Sequence, residues 1–147
     1  MEKEFIRVRS TKDLIISLGL TIAGCILIAL PTATSINILG FFMIFAGIIL
    51  FMILRTGYKD KETGYKYCKT ERFFSQDMRS EIAERLTSKP NSINLSEEDK
   101  GNALRLDIYH SKTSGKAYVQ LYEYIPYKYE PCSIQYEFEI SELDKLI

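Results

Sequence analysis

The residue types that carry most enzyme chemistry are sparse in this chain. His110 is the single histidine, and the three cysteines are Cys25, Cys68 and Cys132. Cys132 and His110 have the residue types of a nucleophile and its base, so a thiol-dependent enzyme is a distant alternative. A zinc site usually needs more nitrogen and sulfur ligands than this set offers, and no motif typical of nucleotide binding or hydrolysis occurs. We therefore expect no enzyme activity, no metal and no cofactor.

Three adjacent carboxylates, Glu97-Glu98-Asp99, are the other group with chemical potential, because clustered acids suggest calcium. An EF-hand loop needs alternating oxygen ligands, a central glycine and a distant glutamate, and that spacing is absent here. The polar connector 92–102 is therefore predicted to be a solvated loop or a single helical turn.

Tyrosine is the unusual component of the sequence. All ten tyrosines lie in the C-terminal part of the chain, from Tyr58 onward. Tyrosine is a good strand residue, and it is also enriched where one end of a side chain is apolar and the other is wet. Sheet packing, a docking face for a partner or ligand, and packing against a membrane surface are all compatible with the pattern. The predicted partner surface comprises Tyr109, Tyr118, Tyr122 and Tyr124.

The stretch 14–54 organises everything else, since it contains no Asp, Glu, Lys, Arg or His. It divides into two apolar spans, 14–30 and 36–54, separated by Pro31 and a few small polar residues. About 17 residues at about 1.5 Å each give roughly 25 Å, near the short end of what crosses a hydrocarbon core. The stretch predicts a hairpin of two transmembrane helices.

The stretch has three other interpretations. A buried hairpin in a soluble protein normally carries a polar face on each helix, and a cleaved signal peptide is followed by a polar mature region. Ile22-Ala23-Gly24-Cys25 has the residue types of a lipobox, but apolar residues continue after Cys25 where a lipoprotein turns polar. We predict that Cys25 is an unlipidated apolar residue within a helix.

Small residues indicate where the two helices touch. Thr21 and Gly24 share a face of the first span, while Gly40 and Gly47, one heptad apart, share a face of the second. Antiparallel packing would bring Thr21 near Gly47, where the backbones can approach closely. These four residues are the predicted helix–helix contact. Because no ionisable residue lies within either span, neither a proton relay nor an ion site is expected.

The distribution of charge predicts the orientation. Basic residues outnumber acidic ones in the lead-in 1–13 and in the juxtamembrane segment 55–74, whereas the connecting loop has no charge. The positive-inside rule then places both termini in the cytoplasm, and we expect an integral protein of the bacterial cytoplasmic (inner) membrane. The formal net charge is +0 because residues 75–147 are acidic. The expected partners are the lipid bilayer and a protein partner or a second copy, not nucleic acid.

The remaining sequence, 75–147, predicts a small α+β cytoplasmic domain. A helix is expected over 76–88, where Met78, Ile82 and Leu86 are four residues apart, and a short helix over 141–147. Three stretches alternate apolar and polar residues and predict antiparallel strands: 103–110, 116–125 and 134–140. Counting a further strand or hairpin in 55–74, we expect three or four strands with one packed helix.

These features favour a membrane-anchored protein that presents its cytoplasmic domain for partner binding or scaffolding. A ligand-sensing membrane effector, whose helices oligomerise and perturb the bilayer, is the alternative. A ligand pocket in the domain and toxicity on overexpression would distinguish the effector from the scaffold.

Overall fold

The computed structural model describes residues 2–31 and 33–147. Met1 of the predicted lead-in and Thr32 of the predicted loop lie outside the described residues. The described chain divides into two compact units. One is Arg7–Tyr58, and the other combines the described residues up to Ile6 with Lys59–Ile147. The start of the chain therefore belongs with its C-terminal part.

The first unit is dominated by two long apolar helices, as predicted. Helix α1 spans Thr11–Ala29 and helix α2 spans Thr34–Ile53. With 19 and 20 residues, both are long and apolar enough to cross a membrane by length and composition. Helices α1 and α2 are antiparallel to each other and form a hairpin, because only a short connection separates them.

A polar clasp joins the outer ends of this hairpin. The Ser10 hydroxyl accepts from the Asp13 backbone N–H (3.2 Å), and the Asp13 carboxylate accepts from the Ser10 backbone N–H (2.8 Å), which is a capping box. The same carboxylate accepts from the Thr56 backbone N–H (2.8 Å) and the Thr56 hydroxyl (2.6 Å). Asp13 is buried, and hydrogen bonds from both ends of the hairpin compensate the cost of burying its charge.

Within the described residues, the sheet contains seven strands in the order β1-β2-β3-β4-β5-β6, and β7 also pairs with β5. The strands are β1 Phe5–Val8, β2 Gly57–Asp60, β3 Lys66–Phe74, β4 Leu104–Ser111, β5 Lys116–Ile125, β6 Lys128–Pro131 and β7 Tyr136–Glu139. The pairs β3/β4, β4/β5, β5/β6 and β5/β7 are antiparallel. Strand β5 is the centre of this arrangement, since three strands pair with it.

One face of the sheet carries the hydrophobic core. Leu106 of β4 lies opposite Leu121 of β5, and both are buried. Helix α3, Arg79–Ser88, covers this face with Ile82 and Leu86. The other core residues are Phe74, Met78, Ile93, Leu104, Ile108, Ala117, Val119, Leu143 and Leu146. The predicted stripe of Met78, Ile82 and Leu86 therefore packs on the aliphatic face of the strands.

The mixed α+β class is confirmed, but the expectation of three or four strands is wrong. Strand β1 lies in the lead-in 1–13, for which no strand is predicted from the sequence. Strand β6 was missed because prolines flank it. Pro126 occupies the turn before β6 and Pro131 ends the strand, so neither removes an interior ladder bond. The terminal helix is a 3-10 turn over Ile140–Leu143.

Candidate functional site

The sheet face opposite the core, here the outer face, collects most of the aromatic and charged side chains. Residues alternate between the two faces of a strand, so every second residue of β3, β4 and β5 lies on the outer face. Strand pairing aligns these side chains in three cross-strand rows: Lys69–Tyr109–Tyr118, Glu71–Asp107–Gln120 and Phe73–Arg105–Tyr122. The outer face is therefore the candidate site, and it has three parts.

The first part is a tyrosine box formed by Tyr67, Tyr109 and Tyr118, which holds the ring of Phe5. Phe5 stacks on Tyr109 with ring centroids 4.1 Å apart and planes within 9°. It meets Tyr67 edge-on at 5.0 Å and Tyr118 at 5.8 Å. Tyr67 and Tyr118 are 4% and 6% exposed, and burial raises the pKa of Tyr118 to about 12. The box is thus a filled aromatic pocket.

The described residues 2–6, here the N-terminal strap, are held beside the box by polar contacts. The Lys3 backbone N–H donates to Gln135 Oε1 (2.7 Å), and Gln135 Nε2 donates to the Lys3 carbonyl (3.3 Å). Lys3 Nζ lies 2.6 Å from Glu62 and 3.4 Å from buried Asp60. The hydrogen bond to Glu62 raises the pKa of Lys3. The strap is therefore fixed by an amide pair and a cation–carboxylate contact.

The second part is an ionic cluster centred on Asp107, which is 2% exposed. Lys69 Nζ and Arg105 Nε each lie 2.8 Å from its carboxylate oxygens. Burial raises the pKa of Asp107 against the effect of these two cations. Burial opposes the charge of Lys69, yet its bonds to Asp107 and Glu71 raise the Lys69 pKa overall. The charges compensate one another, and removal of one partner would cost about 3–5 kcal/mol.

The third part is an aromatic patch of Phe73, Tyr122, Tyr124 and Tyr129 around Arg105. The Arg105 guanidinium lies 4.9 Å from the Tyr122 ring centre and 4.6 Å from that of Tyr129. Tyr129 also contacts Tyr124 at 5.2 Å and Phe73 at 6.3 Å. Tyr124 is 50% exposed, in contrast to the box tyrosines. This patch therefore offers rings and a stacked cation to the surroundings.

Tyr127 extends the patch at the turn between β5 and β6. It is 97% exposed and has φ 77°, a left-handed conformation that side chains other than glycine adopt uncommonly. Its backbone N–H donates to the Tyr124 hydroxyl at 3.4 Å. A strained, fully exposed tyrosine at a turn is a feature that partner binding would explain, because folding does not use its ring.

The predicted partner surface is thus divided between two parts of the outer face. Tyr109 and Tyr118 lie in the box under Phe5, and Tyr118 is buried. Tyr122 and Tyr124 lie in the aromatic patch, where Tyr122 is half-buried and donates its hydroxyl to Gln120 (3.0 Å). The four residues share one sheet face, on which Tyr118 is buried, Tyr109 and Tyr122 are half-buried and Tyr124 is exposed.

The predicted helix contact residues lie between α1 and α2. A Cβ placed at Gly24 would be 2.6 Å from the Gly40 carbonyl oxygen, and one at Gly40 would be 2.8 Å from the Gly24 oxygen. A Cβ at Gly47 would be 2.2 Å from Thr21 Oγ1. The two backbones therefore approach so closely that only glycine fits at these positions.

The outward sides of α1 and α2 carry large apolar side chains. In the most apolar window of each helix, 17% and 11% of the residues are buried, whereas the core helix of a soluble protein is mostly buried. Phe41, Phe42 and Phe45 of α2 are all exposed, and they border an open groove of about 780 Å³. The small residues thus face inward and the large ones outward.

Cys132 and His110 are not brought together. His110 pairs with Ala117 of β5, whereas the Cys132 backbone N–H donates to the Leu121 carbonyl (2.9 Å), four residues further along the strand. Four residues span about 13 Å of a strand, beyond hydrogen-bonding reach. Burial raises the pKa of the Cys132 thiol, which disfavours the nucleophilic thiolate, and burial lowers the pKa of His110.

The acidic run 97–99 contacts other parts of the domain. Glu98 accepts from Arg72 Nη1 at 2.8 and 2.7 Å, and Arg72 Nε donates to the Leu146 carbonyl (2.9 Å). Arg72 of β3 therefore links Glu98 of the acidic run to the Leu146 backbone. Glu97 is the last residue of a 3-10 turn at Leu95–Glu97. Among residues 2–31 and 33–147, no group of three or more His, Cys, Asp and Glu side chains is placed to hold a metal ion.

Two functional features were not found from the sequence. Asp13 was placed in the lead-in, although Ser10-x-x-Asp13 before an apolar run is the signature of a capping box. Phe5 also lies in the lead-in 1–13, and only the short alternation around it signals a strand. A four-residue strand carries too few residues to establish a period.

The outer face presents aromatic rings, hydroxyls, amides and compensated charges. Comparisons of the chain with protein-family models, with curated proteins and with solved structures found no match. The function therefore has to be inferred from the geometry of the hairpin and the outer face.

Proposed function

We propose that the chain is an integral membrane protein whose helical hairpin anchors a small α+β domain, and that this domain binds a partner protein through its outer face. The arrangement of side chains in the hairpin carries the anchoring part. Gly24, Gly40 and Gly47 face the helix contact and large apolar residues face outward, which is the reverse of a water-soluble hairpin. Water would make the exposed phenylalanines of α2 unfavourable, whereas lipid tails would solvate them.

Orientation in the membrane follows from the flanking charges. Basic residues precede α1 and follow α2, and the short connection between the helices is uncharged, so both termini are proposed to be cytoplasmic. Reporter fusions at Asn37 and Ile147 test this proposal. The Asn37 fusion is expected to report from outside the cytoplasm and the Ile147 fusion from inside it. A reversed result would contradict the proposed orientation, and release of the protein by an alkaline carbonate wash would contradict the proposed anchoring.

Partner binding is supported by the aromatic patch. Tyr124 and Tyr127 are exposed at 50% and 97%, and Tyr is enriched in interfaces because its ring gives contact area and its hydroxyl a polar end. A photo-reactive phenylalanine analogue at position 124 or 127 of the full chain is expected to form a defined cross-linked product in cells. The same analogue at exposed Thr113, in the β4–β5 turn, is the matched control. Equal labelling from all three positions would contradict docking at the patch.

A membrane effector is the second candidate, supported by the open groove on α2. Its aromatic rim would suit contact with a further helix of another copy, and assembly of several hairpins would perturb the bilayer. This function predicts growth arrest when the full chain is overproduced. Phe41→Ala combined with Phe45→Ala should relieve the arrest without changing the amount of protein in the membrane. Normal growth of cells with abundant membrane-inserted protein would exclude the effector.

A further inference from the structure

The tyrosine box already binds an aromatic ring, and the contacts of that ring define what the box recognises. Phe5 has one stacked partner, Tyr109, and one edge-on partner, Tyr67. Stacked and edge-on geometries are the preferred arrangements of aromatic pairs. Because Tyr67 and Tyr118 also contact each other at 5.8 Å, the box has the size of a single ring.

A cation site lies two residues before this ring. In an extended chain, Lys3 and Phe5 project from the same side, since side chains alternate. The Lys3 ammonium is received by the carboxylates of Glu62 and Asp60, while Gln135 pairs with the Lys3 backbone in both directions. The combined site therefore fits an extended segment of the pattern Lys-x-Phe.

The strap is held separately from the hydrophobic core. The core cluster lies on the opposite sheet face, within residues 74–147. Besides the Phe5 ring and the Gln135 pair, the strap is held by the Lys3 contacts with Glu62 and buried Asp60, by the Lys61–Glu4 ion pair and by a backbone hydrogen bond from Lys61 N–H to the Glu4 carbonyl (3.0 Å). None of these partners belongs to the core cluster. Release of the strap from the outer face would therefore leave the contacts within the core in place.

We propose that the tyrosine box, together with Gln135 and the Asp60–Glu62 carboxylates, is a docking site for a partner-protein segment that carries Lys-x-Phe in an extended conformation. The N-terminal strap occupies this site and is displaced when the partner docks. The inference rests on the proposed function, because it names the chemistry by which the domain takes its partner. The two carboxylates select a cationic segment and disfavour an acidic or phosphorylated one.

An internal occupant makes the site weaker for any external segment. The apparent dissociation constant of a ligand equals the intrinsic constant divided by the fraction of the protein that is open, so a closed strap weakens binding as that fraction falls. Removing the strap should therefore expose a site with higher affinity than that of the intact chain. The best available external segment is the sequence that already fits, Glu2–Val8.

A labelled synthetic peptide of residues 2–8 tests the proposal. It is titrated, by fluorescence anisotropy, into the full chain and into a chain lacking residues 2–6, both in detergent micelles. The shortened chain is expected to bind the peptide at least about tenfold more tightly than the intact chain. A peptide with Phe5→Ala should bind the shortened chain at least about tenfold more weakly, since it loses the ring.

Matched variants of the shortened chain locate the binding. Tyr109→Ala should abolish most of the peptide affinity, because Tyr109 stacks on the Phe5 ring. Glu84→Ala, at an exposed position of α3 on the opposite side of the sheet, should leave it unchanged. Equal effects of the two substitutions would overturn the assignment of the site to the box.

Two results would overturn the proposal. One is a shortened chain that keeps its circular dichroism spectrum and melting transition but does not bind the peptide. If the shortened chain fails to fold, full-length Phe5→Ala replaces it in the titration. A Phe5→Ala chain that binds the peptide no more tightly than the intact chain would also overturn the proposal. The other is dimerisation of the full chain through exchanged straps, which would make a second copy the occupant. Neither result alters the reporter-fusion and cross-linking outcomes, so the proposed function stands or fails separately.

Discussion

Replacing Gly47 by alanine tests the packing of the hairpin most directly. A Cβ at this position would lie 2.2 Å from Thr21 Oγ1, 2.8 Å from the Ser17 carbonyl oxygen and 2.9 Å from the Thr21 nitrogen. Two of these three atoms belong to the backbone of α1, so a side-chain rotation cannot relieve the contact. The helices must instead move apart by about 0.5–1 Å to restore ordinary contact distances.

The size of the effect follows from this displacement. A gap of about 0.5–1 Å removes roughly a quarter to a half of each dispersion contact across the interface. Overpacking of this kind costs about 1–3 kcal/mol, and we expect Gly47→Ala to lower hairpin stability by that amount. Gly19→Ala is the matched control on α1, because no described atom lies within 4 Å of a Cβ at Gly19. This control should be neutral or slightly stabilising, since alanine favours the helix.

Energy transfer between dyes provides the assay. The full chain, with its native cysteines replaced by alanine, carries a donor at Lys12→Cys and an acceptor at Arg55→Cys, next to the clasp. Increasing the fraction of SDS in mixed micelles separates the helices and lowers the transfer. Adding Thr21→Ala to Gly47→Ala should recover only part of the loss, because the backbone contacts remain. If Gly47→Ala and Gly19→Ala unfold at the same SDS fraction, the close packing of the hairpin is refuted.

Three further predictions concern the domain and the processing of the chain. Leu121→Ala, at a buried core position, should destabilise the full chain by about 2–4 kcal/mol, and half-buried Tyr122→Ala by distinctly less, in urea unfolding followed by near-ultraviolet circular dichroism. Burial raises the pKa of Tyr118 from 10.0 to about 12, so the folded state favours the neutral phenol. The stabilisation that this provides is complete below pH 10 and is lost between pH 10 and 12. The melting temperature should therefore fall in that window, and Tyr118→Phe should remove this part of the pH dependence. Intact mass is expected to show a chain that retains the residues before Cys25 without an acyl group, and a product that begins at an acylated Cys25 would contradict this expectation.

The parts of the structure that were predictable from the sequence are those with long periods. The uncharged stretch 14–54 predicts two apolar helices, because a charged residue at any of its positions would have interrupted the apolar pattern. Leu104, Leu106 and Ile108 alternate over enough residues to establish both a strand and its buried face. In these segments the local pattern and the tertiary environment require the same residues, so a single sequence is informative.

Short segments failed because their structure is decided by distant residues. The lead-in contains a four-residue strand whose neighbours in space follow the second helix, and no local period identifies it. Tyr118 shows the same difficulty within the site. An alternating tyrosine predicts a half-exposed outer face, yet Tyr118 is buried by Phe5, which belongs to the other end of the sequence. The pattern cannot distinguish a cover supplied by the same chain from one supplied by a partner.

Formation of the hairpin should lower the free-energy cost of closing the strap onto the tyrosine box. Lys3 and Glu62 are 59 residues apart in sequence, and a flexible loop of that length would have to close before they meet. The Asp13–Thr56 clasp bypasses the hairpin, so only the few residues on either side of the clasp remain to be ordered. Shortening a loop about fourfold lowers the closure cost by about 1 kcal/mol. The strap therefore depends on the hairpin for its closure but on the tyrosine box for its specificity, and loss of the clasp should loosen the strap even though the box is intact.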